Sequence, residues 1–98
     1  MIVSATRLAD ARLIELEPRH DERGFFARMW CARELATHGI DTGLVQESLS
    51  HNYRAGTLRG LHYQKPPHAE TKIIRCVRGA IFDVIVDIRS ASADFGRW

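Results

Sequence analysis

The chain has 98 residues, of which 27% are charged and 45% hydrophobic, and it carries a formal net charge of +2. That length holds one small domain, and the balance is that of an ordinary soluble protein rather than a disordered one. So small a charge does not point to nucleic acid as the main partner, and no stretch reaches the roughly 20 apolar residues that a membrane helix needs.

Near the start, Arg7, Asp10 and Arg12 interrupt any apolar run, so no signal peptide is expected and a cytoplasmic location follows. Residues 12–17 hold enough branched and long apolar groups for a short strand. Pro18, Asp21 and Gly24 mark a turn, and Phe25 to Trp30 reads as a second, aromatic-rich strand. Ala32 to His38 is the one good helical stretch, anchored by Leu35 and ended by Gly39 in a left-handed conformation. Leu44 to Asn52 is a strand of mixed polarity, and Arg54-Ala55-Gly56 a turn. Thr57 to Gln64 is a further strand, broken by Lys65-Pro66-Pro67.

The clearest pattern lies beyond. Ala80, Phe82, Val84, Val86 and Ile88 alternate with positions that include Asp83 and Asp87. A period of two marks a strand with one packed face and one polar face. Lys72 to Val77 precedes it through an Arg78-Gly79 hairpin turn. Strand after strand with short links and one brief helix predicts an all-β domain, an antiparallel barrel or sandwich. The final Asp94-Phe95-Gly96-Arg97-Trp98 carries two aromatics that want burial, which suggests one domain over 1–98, cut short at that end.

Chemistry concentrates in Thr57-Leu58-Arg59-Gly60-Leu61-His62-Tyr63-Gln64. A histidine titrates near neutral pH and takes a proton from carbon where a cation stabilises the resulting enolate. Lys72, on the next strand, could be that cation. Arginine greatly outnumbers lysine, and Arg23 and Arg59 have forks suited to phosphate oxygens. Arg59 and His62 point to opposite faces of a regular strand, so sharing a pocket requires an interruption, for which Gly60 is the natural place. The plainer reading is a satisfied structural histidine among solvated arginines. A metal reading would use His62, His68 and Glu70, but Gln64 stands where a second histidine would be needed. Cys31 and Cys76 lack metal-ligand spacing and are read as a reduced pair.

Several segments form a series: Asp21-Glu22-Arg23-Gly24-Phe25-Phe26, Gln46, Gly56 through Gln64, Lys72, Gly79 through Val84, Val86 through Arg89, and Phe95-Gly96-Arg97-Trp98. In that order they resemble the dTDP-4-dehydrorhamnose 3,5-epimerase family. The resemblance implies a cupin-like antiparallel jelly roll, here partial because its C-terminal strands are absent, and a homodimer without metal or organic cofactor. It implies inversion of C3 and C5 in a dTDP-linked 4-keto-6-deoxy sugar, a step toward dTDP-L-rhamnose. His62 then resembles the base and Lys72 the group that steadies the enolate. Arg23, Arg59 and Gln46 resemble substrate contacts. The family often has Asp-Asn where Glu47-Ser48 stands and glutamate where Arg28 stands, so Arg28, Glu47 and Ser48 are candidate specificity positions. The family's acid tyrosine and the carboxylate that orients its histidine have no counterpart in these residues. Impaired turnover is therefore expected. The alternatives are a non-catalytic sugar-nucleotide-binding cupin, a truncated-gene remnant, or the metal-dependent small cupin described above.

Overall fold

β1 (Ile2–Ala5) pairs antiparallel with β2 (Arg12–Glu15) and sets Val3 opposite Ile14 and Ser4 opposite Leu13. The β-branched Ile2 and Val3 suit a pleated edge, although the sequence reading places no strand there. β2 falls where a strand over 12–17 is expected and ends two residues sooner. The connecting turn closes on itself. Thr6 Oγ1 donates to the Leu8 carbonyl at 3.1 Å, and the Ala11 amide donates to the same oxygen at 3.3 Å. Leu8, within that turn, is 6% exposed. The computed structural model describes every residue, Met1–Trp98.

β3 (Arg19–Asp21) and β4 (Gly24–Phe26) form a second antiparallel hairpin. The expected turn narrows to Glu22-Arg23, and the aromatic strand stops at Phe26 rather than Trp30. A local bond explains the tight turn: the Arg23 amide donates to Asp21 Oδ1 at 2.9 Å. That anchor lets Arg19-His20-Asp21 extend and pair, which turn-type composition alone does not foretell.

α1 (Ala32–Ala36) is the predicted helix, shortened to five residues. Leu35 is its anchor and the largest fully buried side chain, at 1% exposure. Gly39 follows at φ +70° and ends the helix as expected, with its amide donating to the Ala36 carbonyl at 3.1 Å. An alanine at position 39 meets no steric obstacle, so its cost is conformational. Gly39→Ala is expected to destabilise the chain by about 1 kcal/mol, read from urea midpoints. An unchanged midpoint would show that α1 carries none of the stability.

The rest departs from expectation. No backbone–backbone hydrogen bond involves residues 41–64 or 69–86. The expected strands over 44–52, 57–64, 72–77 and 80–88 run as chain without ladders, and no barrel closes. Only 22 backbone hydrogen bonds form, against about 65 for a folded chain of this length. An extended segment becomes a strand only when a neighbour takes its N–H and C=O groups, so a correct alternation without a partner makes no sheet. The turns between these segments persist: Gly56 and Gly79 have φ +76° and +85°. The expected burial pattern is reversed at one point. Phe82, assigned to the packed face, is 87% exposed, whereas Asp87, assigned to the polar face, is 6% exposed. No helix is long and apolar enough to cross a membrane.

Candidate functional site

An open cleft of about 830 Å³ lies beside β2 and α1. β2 and the residues around α1 make one wall, with Leu13, Trp30 and Leu35. Residues 71–76 together with Asp83 and Ile85 make the other. The chain bends at Gly79, φ +85°, between those two arms. Apolar groups make up more than half of the lining, and Asp10, Arg12, Asp41, Lys72, Arg75 and Asp83 bring charge of both signs to it. Lys72 is ion-paired to Glu70, Nζ to Oε1 at 3.1 Å, with both side chains about half exposed. An exposed pair of this kind contributes little stability and exchanges readily for another anion.

His62 does not line this cleft and lies on an exposed segment. Gly60, two residues before it, adopts φ +119°, which side chains rarely take. The extended run is thereby interrupted between Arg59 and His62. The interruption does not by itself bring the imidazole to Lys72, because no hydrogen-bonded sheet joins their two segments.

The remaining candidates are dispersed and held by local partners. Arg23 pairs with Asp21 at 2.6 Å, and that guanidinium, then the Arg23 amide, hold the Asp21 carboxyl below its ordinary range. Arg28 meets Glu34 Oε2 at 3.4 Å, while Glu34 also receives the Met1 ammonium at 2.7 Å. Gln46 Nε2 donates to Ser48 Oγ at 3.4 Å, and both, like Glu47 between them, are exposed. Arg59 donates through Nε to Asn52 Oδ1 at 2.6 Å and through Nη2 to the His51 carbonyl at 3.4 Å. The structure thus keeps Lys72 on a cleft wall and leaves His62, Arg23, Arg28, Gln46, Glu47, Ser48 and Arg59 on exposed chain. No three His, Cys, Asp or Glu side chains gather in a metal-binding arrangement, and Cys31 and Cys76 are free thiols.

One cluster escaped the sequence reading. Asp87 is the buried charge of the molecule. Its carboxylate accepts from Arg89 Nη2 at 2.6 Å, Arg89 Nε at 3.0 Å, the Arg89 amide at 2.9 Å and Ser92 Oγ at 2.7 Å. The same guanidinium reaches across the fold to Asp10 Oδ2 at 2.6 Å and the Ala9 carbonyl at 3.1 Å. Backbone bonds between Asp87 and both Gly96 and Arg97 close the clasp, at 2.7 and 2.9 Å. The Arg89 guanidinium first, then the Ser92 hydroxyl and the Arg89 amide, hold the Asp87 carboxyl far below the usual carboxylate range. Asp87-Ile88-Arg89 puts both charges on one side of an extended chain, a signal visible in sequence only once their partner Asp10 is known.

A family model described as dTDP-4-dehydrorhamnose 3,5-epimerase matches residues 5–98. A protein of that name from Sinorhizobium fredii is 39% identical over 98 residues, covering 100% of this chain and 50% of the relative. One from Shigella flexneri is 41% identical over 99 residues, covering 100% of this chain and 54% of the relative. One from Mycobacterium tuberculosis is 44% identical over 82 residues, covering 80% of this chain and 39% of the relative. The chain therefore spans about half the length of the curated relatives it matches. No solved structure matches it.

Proposed function

The chain belongs to the dTDP-4-dehydrorhamnose 3,5-epimerase family, and we propose that it supplies the base and the cation of such an epimerase. The supporting observation is that the family match, over residues 5–98, spans both chemistry-bearing segments, 56–64 and 72. In this reading the strands from 44 to 88 join a cupin-like barrel, and closing that sheet carries His62 to the cleft edge that already holds Lys72.

The chemistry then follows from the groups. Imidazole Nε2 or Nδ1 of His62 removes the proton from the carbon beside the C4 ketone of a dTDP-linked 4-keto-6-deoxy sugar. The released electron pair moves onto the carbonyl oxygen, and the Lys72 ammonium stabilises that enolate. Lys72 is free to turn from Glu70 because their pair is exposed and weak. Arg23 and Arg59 hold diphosphate oxygens in two-pronged fashion, and Gln46 hydrogen-bonds to the substrate. Inversion requires a proton delivered to the opposite face. These residues contain no acid in the family's motif context, so exchange at carbon outpaces inversion.

The test is to incubate the dTDP-4-keto-6-deoxy sugar with the chain in deuterated water. Slow label at C3 and C5 above the buffer level is expected, falling to that level in His62→Ala. One observation favours a second reading, a non-catalytic sugar-nucleotide-binding cupin: His62 stands outside the cleft while Glu70 occupies Lys72. Heat of binding with dTDP but no His62-dependent label would establish that second reading. Neither heat nor label would overturn both.

A further inference from the structure

We infer that Asn52 is a positioning residue for Arg59: it fixes which edge of that guanidinium meets an incoming phosphate and leaves the charge intact. The inference rests on the reading above, in which Arg59 holds diphosphate oxygens, and adds a residue that the reading does not use.

The chain between the two residues turns back on itself. Thr57 Oγ1 donates to the Arg54 carbonyl at 2.8 Å, and Gly56 adopts φ +76°. Position 59 thereby returns to the side of 51 and 52. Arg59 Nε donates to Asn52 Oδ1 at 2.6 Å, and Nη2 donates to the His51 carbonyl at 3.4 Å. A guanidinium only donates, so the amide oxygen of Asn52 faces it rather than the amide nitrogen. The rings of His51 and Tyr53, on either side of Asn52 in the chain, meet edge to face with centroids 4.9 Å apart. That contact restrains the loop carrying the acceptor.

The planar group has two edges that can grip an anion. Nε–H and one N–H of Nη2 share the side edge, and the loop occupies it. Nη1 and the second N–H of Nη2 make the end edge, which no protein group engages, and Arg59 is exposed. A phosphate docks on such an edge through two parallel hydrogen bonds. Because the side chain is fixed beforehand, it loses less freedom when the anion arrives.

Charge sets Arg59 apart from the other candidate arginines. Arg23 is paired with Asp21 and Arg28 with Glu34, so an anion reaching either must displace a carboxylate. Asn52 Oδ1 and the His51 carbonyl are neutral acceptors, which orient Arg59 without cancelling its charge. An amide at position 52 meets both needs. Alanine has no acceptor, and aspartate would neutralise the guanidinium.

The test pairs two readouts on the 98-residue chain: calorimetric titration with inorganic pyrophosphate, and exchange of the Arg59 Nε–H by nuclear magnetic resonance. Asn52→Ala is expected to speed that exchange about tenfold and to weaken pyrophosphate binding about three- to tenfold, the worth of one neutral hydrogen bond. Asn52→Asp should move the readouts in opposite directions. Its charge-assisted bond slows the Nε–H exchange, while binding weakens about tenfold or more. A loop that was merely structural would lose both together. Asn52 is exposed, so neither variant touches buried Leu8 or Leu35. Equal affinity in the unaltered chain and Asn52→Ala overturns the inference. So does weaker binding with unchanged Nε–H exchange, which would make Asn52 a direct contact, and so does a chain that binds no pyrophosphate. Isotope exchange in the keto sugar, with pyrophosphate binding indifferent to Asn52, leaves the functional reading standing and sinks this one. Asn52-dependent binding without isotope exchange does the reverse.

Discussion

Leu35→Ala is expected to abolish the cooperative unfolding transition of the chain. Truncating a buried leucine costs about 2–5 kcal/mol through lost burial and the cavity left behind. Native chains hold about 0.05–0.15 kcal/mol per residue, and one with so few buried side chains sits at the bottom of that range. Leu35 is fully buried, and its backbone is also the junction of the local hydrogen bonds. Its amide donates to the Cys31 carbonyl at 2.9 Å, and its carbonyl accepts from His38 at 3.0 Å and Ile40 at 3.3 Å. A helix of five residues does not persist on propensity, so α1 depends on this side chain being seated. Leu35→Met keeps the volume and is expected to cost less than about 1.5 kcal/mol. Far-ultraviolet circular dichroism in urea reads both. Equal midpoints for alanine and methionine would show that packing at this site does not hold the fold.

What was legible in the sequence was whatever depends on neighbours close along the chain. Gly39, Gly56 and Gly79 adopt positive φ where turns or a helix end were expected, because a missing Cβ acts locally. β2 and α1 fall within their expected spans, since alternation and a single anchor at Leu35 declare themselves over a few residues. The barrel did not follow from equally good strand patterns, because a ladder is a property of two segments and periodicity describes one. The candidate site shares that dependence. Lys72 lines the cleft and His62 does not, and no ladder joins their two segments. The clasp was illegible for the reverse reason. Asp87 reads as a residue of a polar strand face until the turn holding Asp10 is seen across the fold, 79 residues away in sequence from Arg89.

Asp87→Asn is expected to release residues 87–98 from the turn over 6–11, and acid is expected to do the same to the unaltered chain. Asparagine keeps the shape but not the charge, and its amide turns two donors toward a guanidinium that can only donate. Arg89→Lys keeps the charge but not the fork, so one ammonium cannot serve Asp87, Asp10 and the Ala9 carbonyl together. Both variants should therefore lose hydrogen-exchange protection at the Asp87 and Gly96 amides, which close the turn. The pH dependence separates charge from shape. A carboxyl whose folded pKa lies below its unfolded one adds stability that is complete above the unfolded value, near 3.8 for aspartate. That stability drains as pH falls below this point and toward the depressed folded value. The unaltered chain should accordingly lose protection at Gly96 progressively below about pH 4, from the direction of the Asp87 shift. Asp87→Asn should start low and show a much flatter profile over the same range. Parallel acid profiles for the two chains would mean that a carboxyl other than Asp87 governs the turn.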